Sequence, residues 1–145
     1  SRLEAKMMKF QIQDCEMREI CNDLIYMARR DSNGHIHAEL ESDAEHQMLR
    51  MDANRFNQAV LSMLIYPVPN DTDREVKMQL SKDEENQLLT FRIINSPLVD
   101  PAFASQQVSI RLKINQLLFE HFGGSFMVSE SAEDGYPITF SIATL

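Results

Sequence analysis

Apolar residues recur at helical spacing in three stretches of the chain and at alternate positions in six others. The first helical stretch covers 14–31, where Met17, Ile20, Cys21, Leu24, Ile25 and Ala28 follow the i, i+3, i+4 pattern. Asp14 is placed to cap its start, and Gly34 to end it shortly after Arg29 and Arg30. The second begins after a capping Asp52, carries Phe56, Ala59, Val60, Met63 and Leu64 on one stripe, and is stopped by Pro67 and Pro69, which cannot continue the backbone ladder. The third covers about 106–122, with Ile110, Ile114, Leu117, Leu118 and His121 as the expected stripe. Gly123 then supplies a left-handed C-cap, and Gly124 lets the chain turn directly into a strand.

The alternating stretches read as strands. In "HIHAELE" Ile36, Ala38 and Leu40 share a face, and the short "QMLRM" is expected to pair with it. Val76, Met78 and Leu80 point inward from "EVKMQLS", then Leu89, Phe91 and Ile93 from "LLTFRIINS", with a hairpin turn at "KDEEN" between them. Leu88 and Ile94 make both faces of that second strand apolar, which predicts a central strand covered on both sides. "NSPLVDPAFA" is a loop with two prolines. Phe126 and Val128, then Ile138, Phe140 and Ile142, are the inward positions of the last two strands. The pattern predicts an α/β (α+β) two-layer sandwich, a mixed, mostly antiparallel sheet covered on one face by three helices. Residues 1–12 read as the end of an upstream helix or a linker, and 13–145 as a single domain.

Composition narrows the function classes. At 145 residues, 43% apolar and 25% charged, the chain has the balance of one globular domain. It opens on Ser1 rather than Met, the expectation for a piece of something longer. No apolar run reaches the length of a membrane span, so direct insertion is not expected. The net charge of −8 and the lack of a basic patch argue against nucleic acid. Cys15 and Cys21 read as reduced thiols on different parts of one helix, in a cytoplasmic setting.

The helix ending "FGG", the alternating strand after it and the closing "ITFSIATL" resemble the end of the ATP-binding domain of sensor histidine kinases. That domain belongs to a superfamily shared with DNA gyrase and a heat-shock chaperone. "MDANRFNQAVLSMLIY" likewise resembles the family's N-box helix, and "LLTFRIINSPLVDP" sits where the family has a strand leading into an Asp-x-Gly-x-Gly turn. The agreement of element order covers about residues 10–145. It implies a histidine-kinase-like ATPase fold, with dimerisation helices upstream or a receiver domain as partners.

The resemblance also implies positions for a nucleotide site, and these positions depart from the family's pattern. The two N-box asparagines correspond to Ser62 and Tyr66, and the family's lysine falls among Pro67–Pro69. The adenine-reading aspartate corresponds to Asn95 and its following glycine to Pro97. The second glycine-rich turn, which wraps the phosphates, falls near Ser109 and Arg111, and no glycine occurs between Gly34 and Gly123. Backbone that approaches phosphates closely needs glycine's freedom, and side chains at those points obstruct it. Losing three charge-assisted interactions of about 1.5–3 kcal/mol each would lower affinity by roughly a thousandfold or more. The expectation is a vestigial site without cofactor, in a two-component signalling protein whose domain acts in regulation or docking. The alternative is an active divergent kinase that still binds ATP and magnesium and phosphorylates a histidine. A third reading is an unrelated interaction module that shares only the element order.

Other constellations are weaker. His35 and His37 share a strand face and could hold a metal with His46, but two histidines without a fixed third partner also fit an exposed edge. The carboxylates at 39–45 and 83–85 read as solvated turns and faces. Met17, Met63 and Met78 are expected in the core, whereas Met7, Met8 and Met27 have no assigned role. Tyr66 and Phe103 are expected to fill the hollow left by the missing nucleotide.

Overall fold

The computed structural model describes residues 9–44, 46–68 and 71–144. Its strands are β1 (Gln13–Glu16), β2 (Ile36–Ser42), β3 (Met48–Met51), β4 (Arg74–Asp83), β5 (Leu88–Ile94), β6 (Phe126–Val128) and β7 (Ile138–Ala143). Its helices are α1 (Met17–Asp31), α2 (Ala53–Ile65) and α3 (Gln106–His121). Five strands form one sheet in the order β2-β4-β5-β7-β6, parallel only between β2 and β4. Alternate residues of these strands are buried, among them Ile36, Met78, Phe91, Ile93, Ile138 and Phe140, and they pack beneath the apolar stripes of the helices. This is the two-layer sandwich that the pattern predicts.

Five local expectations need correction. The first helix starts at Met17 rather than Asp14, because the preceding residues pair as β1 with β3 in a separate two-stranded ribbon. Glu16, not Asp14, caps it by accepting a hydrogen bond from the Glu19 N–H, and Asp14 lies opposite Arg50. "QMLRM" therefore pairs with β1 and not with β2, and Cys15 is a strand residue. Both thiols are buried and free; burial raises the Cys21 thiol to about 12. β5 is central, as predicted, but only Leu89, Phe91 and Ile93 are buried, and the second face stays half-exposed.

The α3 stripe is rotated from the predicted one. Val108, Asn115, Leu118 and Phe119 are the buried positions, while His121 is exposed and Ile110 is 53% exposed. The His121 ring instead meets Phe10 edge-on, 4.4 Å between centroids. The expected upstream helix lies mainly outside the described residues; residues 9–12 are irregular, and the Gln11 N–H donates to the Asp52 carboxylate at 3.0 Å. Pro69, Met7 and Met8 also lie outside the described residues.

The paired glycines have separate reasons. Gly123 has φ +80°, the left-handed cap of α3. Gly124 lies so close to β7 that a Cβ would sit 1.8 Å from the Ser141 carbonyl oxygen, so nothing larger fits. This contact sets the exit of α3 directly against β7.

Candidate functional site

The site expected from the sequence divides between two places. α2 and α3 run side by side over the sheet, and between them lies an open trough of about 860 Å³. Ser62, Tyr66 and Arg111 all line it. Its walls are otherwise mostly apolar: Leu61, Ile65 and Val68 on one side, Ile110 and Ile114 on the other. Tyr66, at the C-terminal end of α2, is 40% exposed. Phe103 does not line the trough, so of the two predicted space-fillers only Tyr66 stands there.

Ser62 is committed to neighbours within the fold. Its hydroxyl donates to the Ala59 carbonyl at 2.6 Å and accepts from the Asn115 amide nitrogen at 3.1 Å. Asn115 is fully buried, and its Oδ1 has no hydrogen-bond partner among the described residues. It borders a small hollow, together with Arg111, between the same two helices. Arg111 makes no ion pair among the described residues, and no carboxylate is found among the described residues lining the trough.

Asn95 lies elsewhere. It borders a separate hollow of about 330 Å³ with His37, Glu39, Glu75 and Lys77. Its φ of +65° and an N–H bond to the Gly135 carbonyl turn the chain sharply at the end of β5. Arg74 then holds it: Nε donates to the Asn95 carbonyl at 2.8 Å and an Nη to its Oδ1 at 3.0 Å. The other Nη reaches Asp100 at 2.9 Å, and the Asn95 amide nitrogen donates to the Glu75 carbonyl at 2.8 Å. Both ends of the Asn95 amide are thus bonded to strand β4. Asp100 accepts from the Ala102 N–H and from Arg74, in that order of effect, which holds its carboxyl below the usual range.

Pro97 is buried and opens a 3-10 turn, Pro97–Val99. The neighbouring Ser96 hydroxyl bonds the Met63 carbonyl of α2 and accepts from the Leu98 N–H, tying this loop to the helix layer. Ser109 is exposed on the first turn of α3, its hydroxyl donating back to the Ser105 carbonyl at 3.2 Å. The six positions therefore do not converge: three share the trough, and Asn95, Pro97 and Ser109 do not line it.

The three histidines pair with carboxylates in two separate places. His35 and His37 both approach Asp73 Oδ1, at 2.7 and 3.8 Å, but His46 pairs with Glu16 instead. No cluster able to hold a metal ion occurs among the described residues. The residues that sequence reasoning missed are Arg74, Asp100, Asn115 and Ser96. Asn115 left one trace, a polar residue at helical spacing from Val108 and Leu118, on the true buried stripe.

No protein-family model matches this chain, and no curated protein matches it in sequence. Solved structures do match in shape. A histidine kinase from Burkholderia phymatum STM815 superposes with a TM-score of 0.70 at 16% identity, over 99% of this chain and 75% of the other. The Acinetobacter baumannii histidine kinase AdeS gives 0.67 at 12% identity, over 98% and 72%. The nucleotide-free catalytic domain of histidine kinase ThkA gives 0.66 at 16%, over 93% and 99%. The fold is that of the histidine-kinase catalytic ATPase domain. At these identities the shared property is the fold. No helix of the described residues is long and apolar enough to cross a membrane.

Proposed function

We propose that this chain is the ATPase-type domain of a two-component sensor protein, one that works without nucleotide as a regulatory or docking module in the cytoplasm. The observation that carries the proposal is the state of the α2–α3 trough. Tyr66 and Arg111 stand in it where the family pattern calls for an asparagine and a glycine. The Ser62 hydroxyl is spent on Ala59 and Asn115. The Asn95 amide is held by Arg74 and the Glu75 carbonyl and does not border the trough.

The donor set suits a magnesium triphosphate poorly. One guanidinium faces a ligand that carries several charges, and the described lining offers no carboxylate to help hold a divalent cation. The walls are also more apolar than a polyphosphate needs. The partners that fit this reading are helices upstream in the same protein or a receiver domain, met by surface contact rather than phosphate transfer.

A thermal melt in Mg·ATP tests the reading. A ligand that binds the native state stabilises it by RT ln(1 + [L]/Kd), so a functional site would raise the Tm visibly at millimolar ligand. The expected result is an unmoved Tm. A rise of several degrees that disappears when magnesium is chelated would favour the active-kinase alternative.

A further inference from the structure

We infer that the α2–α3 trough is a receptor for an amphipathic helix that carries a carboxylate on its apolar stripe. This deepens the docking function proposed above and rests on it.

The geometry selects the form of the ligand. Both walls of the trough are helices, whose backbone hydrogen bonds are already made within each helix. An extended segment laid there would bury N–H and C=O groups with nothing to pair them, at a cost for each. A helix brings its own ladder satisfied and offers only side chains. From Gln58 to Ile65 on one wall and from Gln107 to Ile114 on the other is seven residues, about 10 Å along each axis. That is the rise from i to i+7 in a docking helix, enough for three or four anchors. A small apolar molecule is a poorer match, because an open trough leaves much of its surface in water, whereas typical small-ligand sites enclose most of theirs.

Charge selects the chemistry. The protein carries a net charge of −8, yet the described lining contains no carboxylate and one cation. Arg111 makes no ion pair among the described residues and stands on the same wall as Ile110, which is 53% exposed. A Glu or Asp among the apolar anchors of the incoming helix would meet Arg111 in a partly desolvated place, where a bidentate pair is stronger than in water. The Gln58 and Gln107 amides flank the same space and can bond polar groups at the edges of the stripe. A basic or uncharged helix would leave Arg111 covered and unpaired, which is the discriminating penalty.

The test uses a fluorescein-labelled model helix of about 16 residues with a leucine stripe at i, i+3/i+4 and i+7 and one Glu beside its centre. Binding to the protein is read by anisotropy. The expected result is saturable binding that weakens about 5- to 30-fold when the peptide Glu becomes Gln. Arg111→Gln should weaken the Glu peptide by a similar factor and tighten the Gln peptide, since no unpaired charge is then covered, and Ile110→Glu should abolish both. Circular dichroism of each variant confirms that the exposed substitutions leave the fold intact. No binding up to 1 mM, equal affinity for the Glu and Gln peptides, or indifference to Ile110→Glu each overturns the inference. A short aromatic carboxylate that displaces the peptide at lower concentration than the peptide's own Kd also overturns it, in favour of a small-molecule site. Mg·ATP separates the two proposals. If it displaces a bound peptide, the helix site stands and the nucleotide-free reading falls. If the peptide fails while Mg·ATP leaves the Tm unmoved, only the helix site falls.

Discussion

Helix α2 has two apolar faces that behave differently. The inner one, Phe56, Ala59, Val60, Met63 and Leu64, is almost completely buried against the sheet and α3. The outer one, Leu61 and Ile65, stays partly open along the trough, opposite an Ile110 left in solvent. The inner face holds the domain together. The outer face also packs on the core, but with only part of each side chain. Together with the exposed Ile110 it leaves an apolar strip partly open to solvent, the kind of surface that a contact would cover.

Substitutions on the core side and on the trough side of the α2–α3 pair should separate by several kcal/mol. Phe119 is fully buried and packs its ring on Phe56, Phe126 and Phe140, so Phe119→Ala should cost about 3–5 kcal/mol in a urea melt. Ile110→Ala across the trough should change stability by less than about 0.5 kcal/mol. A comparable loss at both sites would erase the distinction between the faces.

Gly124→Ala is the next largest. The added Cβ meets backbone rather than a movable side chain, so β7 and the α3 exit must part, at a cost of about 1–3 kcal/mol or more. Gly34→Ala is the control, with open space at the Cβ but φ +81°, so it should cost less, through backbone strain alone.

Arg74→Met should lower stability by about 1–3 kcal/mol, because it removes three hydrogen bonds, one of them to the Asp100 carboxylate. The same contact gives a pH signature. Asp100 is held below its ordinary value when folded, so its contribution is present above the unfolded carboxyl pKa of about 3.9 and is lost as pH falls through the lower folded value. Melts between pH 5 and 3 should therefore lose less stability in Asp100→Asn than in the parent protein.

The smallest effect concerns the thiols. Cys21 is raised to about 12 by burial, so it stays neutral and unreactive at pH 8. Neither Cys15 nor Cys21 should react with a disulfide reagent until the protein is unfolded. The raised value also predicts that stability is complete below the unfolded thiol pKa near 9 and declines as pH rises from there toward 12. Rapid labelling of the native state would show that the ribbon and α1 open locally.

Much of the fold was readable because burial has a period. Met63 on α2, Met78 on β4 and Phe140 on β7 lie in the core where the pattern puts them. β3 was read as a strand with the wrong partner, because its true partner β1, a four-residue strand with one buried position, looks like the frayed start of a helix. The α3 rotation has a different cause. Asn115 occupies the buried stripe by bonding Ser62, while Ile110 and Ile114 border the trough, so polarity pointed the wrong way at those positions. At the candidate site, the family resemblance could bring Ser62, Tyr66 and Arg111 together. It could not reveal that Arg74, twenty-one residues before Asn95, takes the Asn95 amide.

Isothermal titration of Mg·ATP into the wild-type protein is the most direct measurement of whether the trough has left nucleotide binding behind. The account predicts no saturable heat up to millimolar ligand. A saturable isotherm with a micromolar Kd, lost on mutation of Ser62 or Asn95, would contradict it.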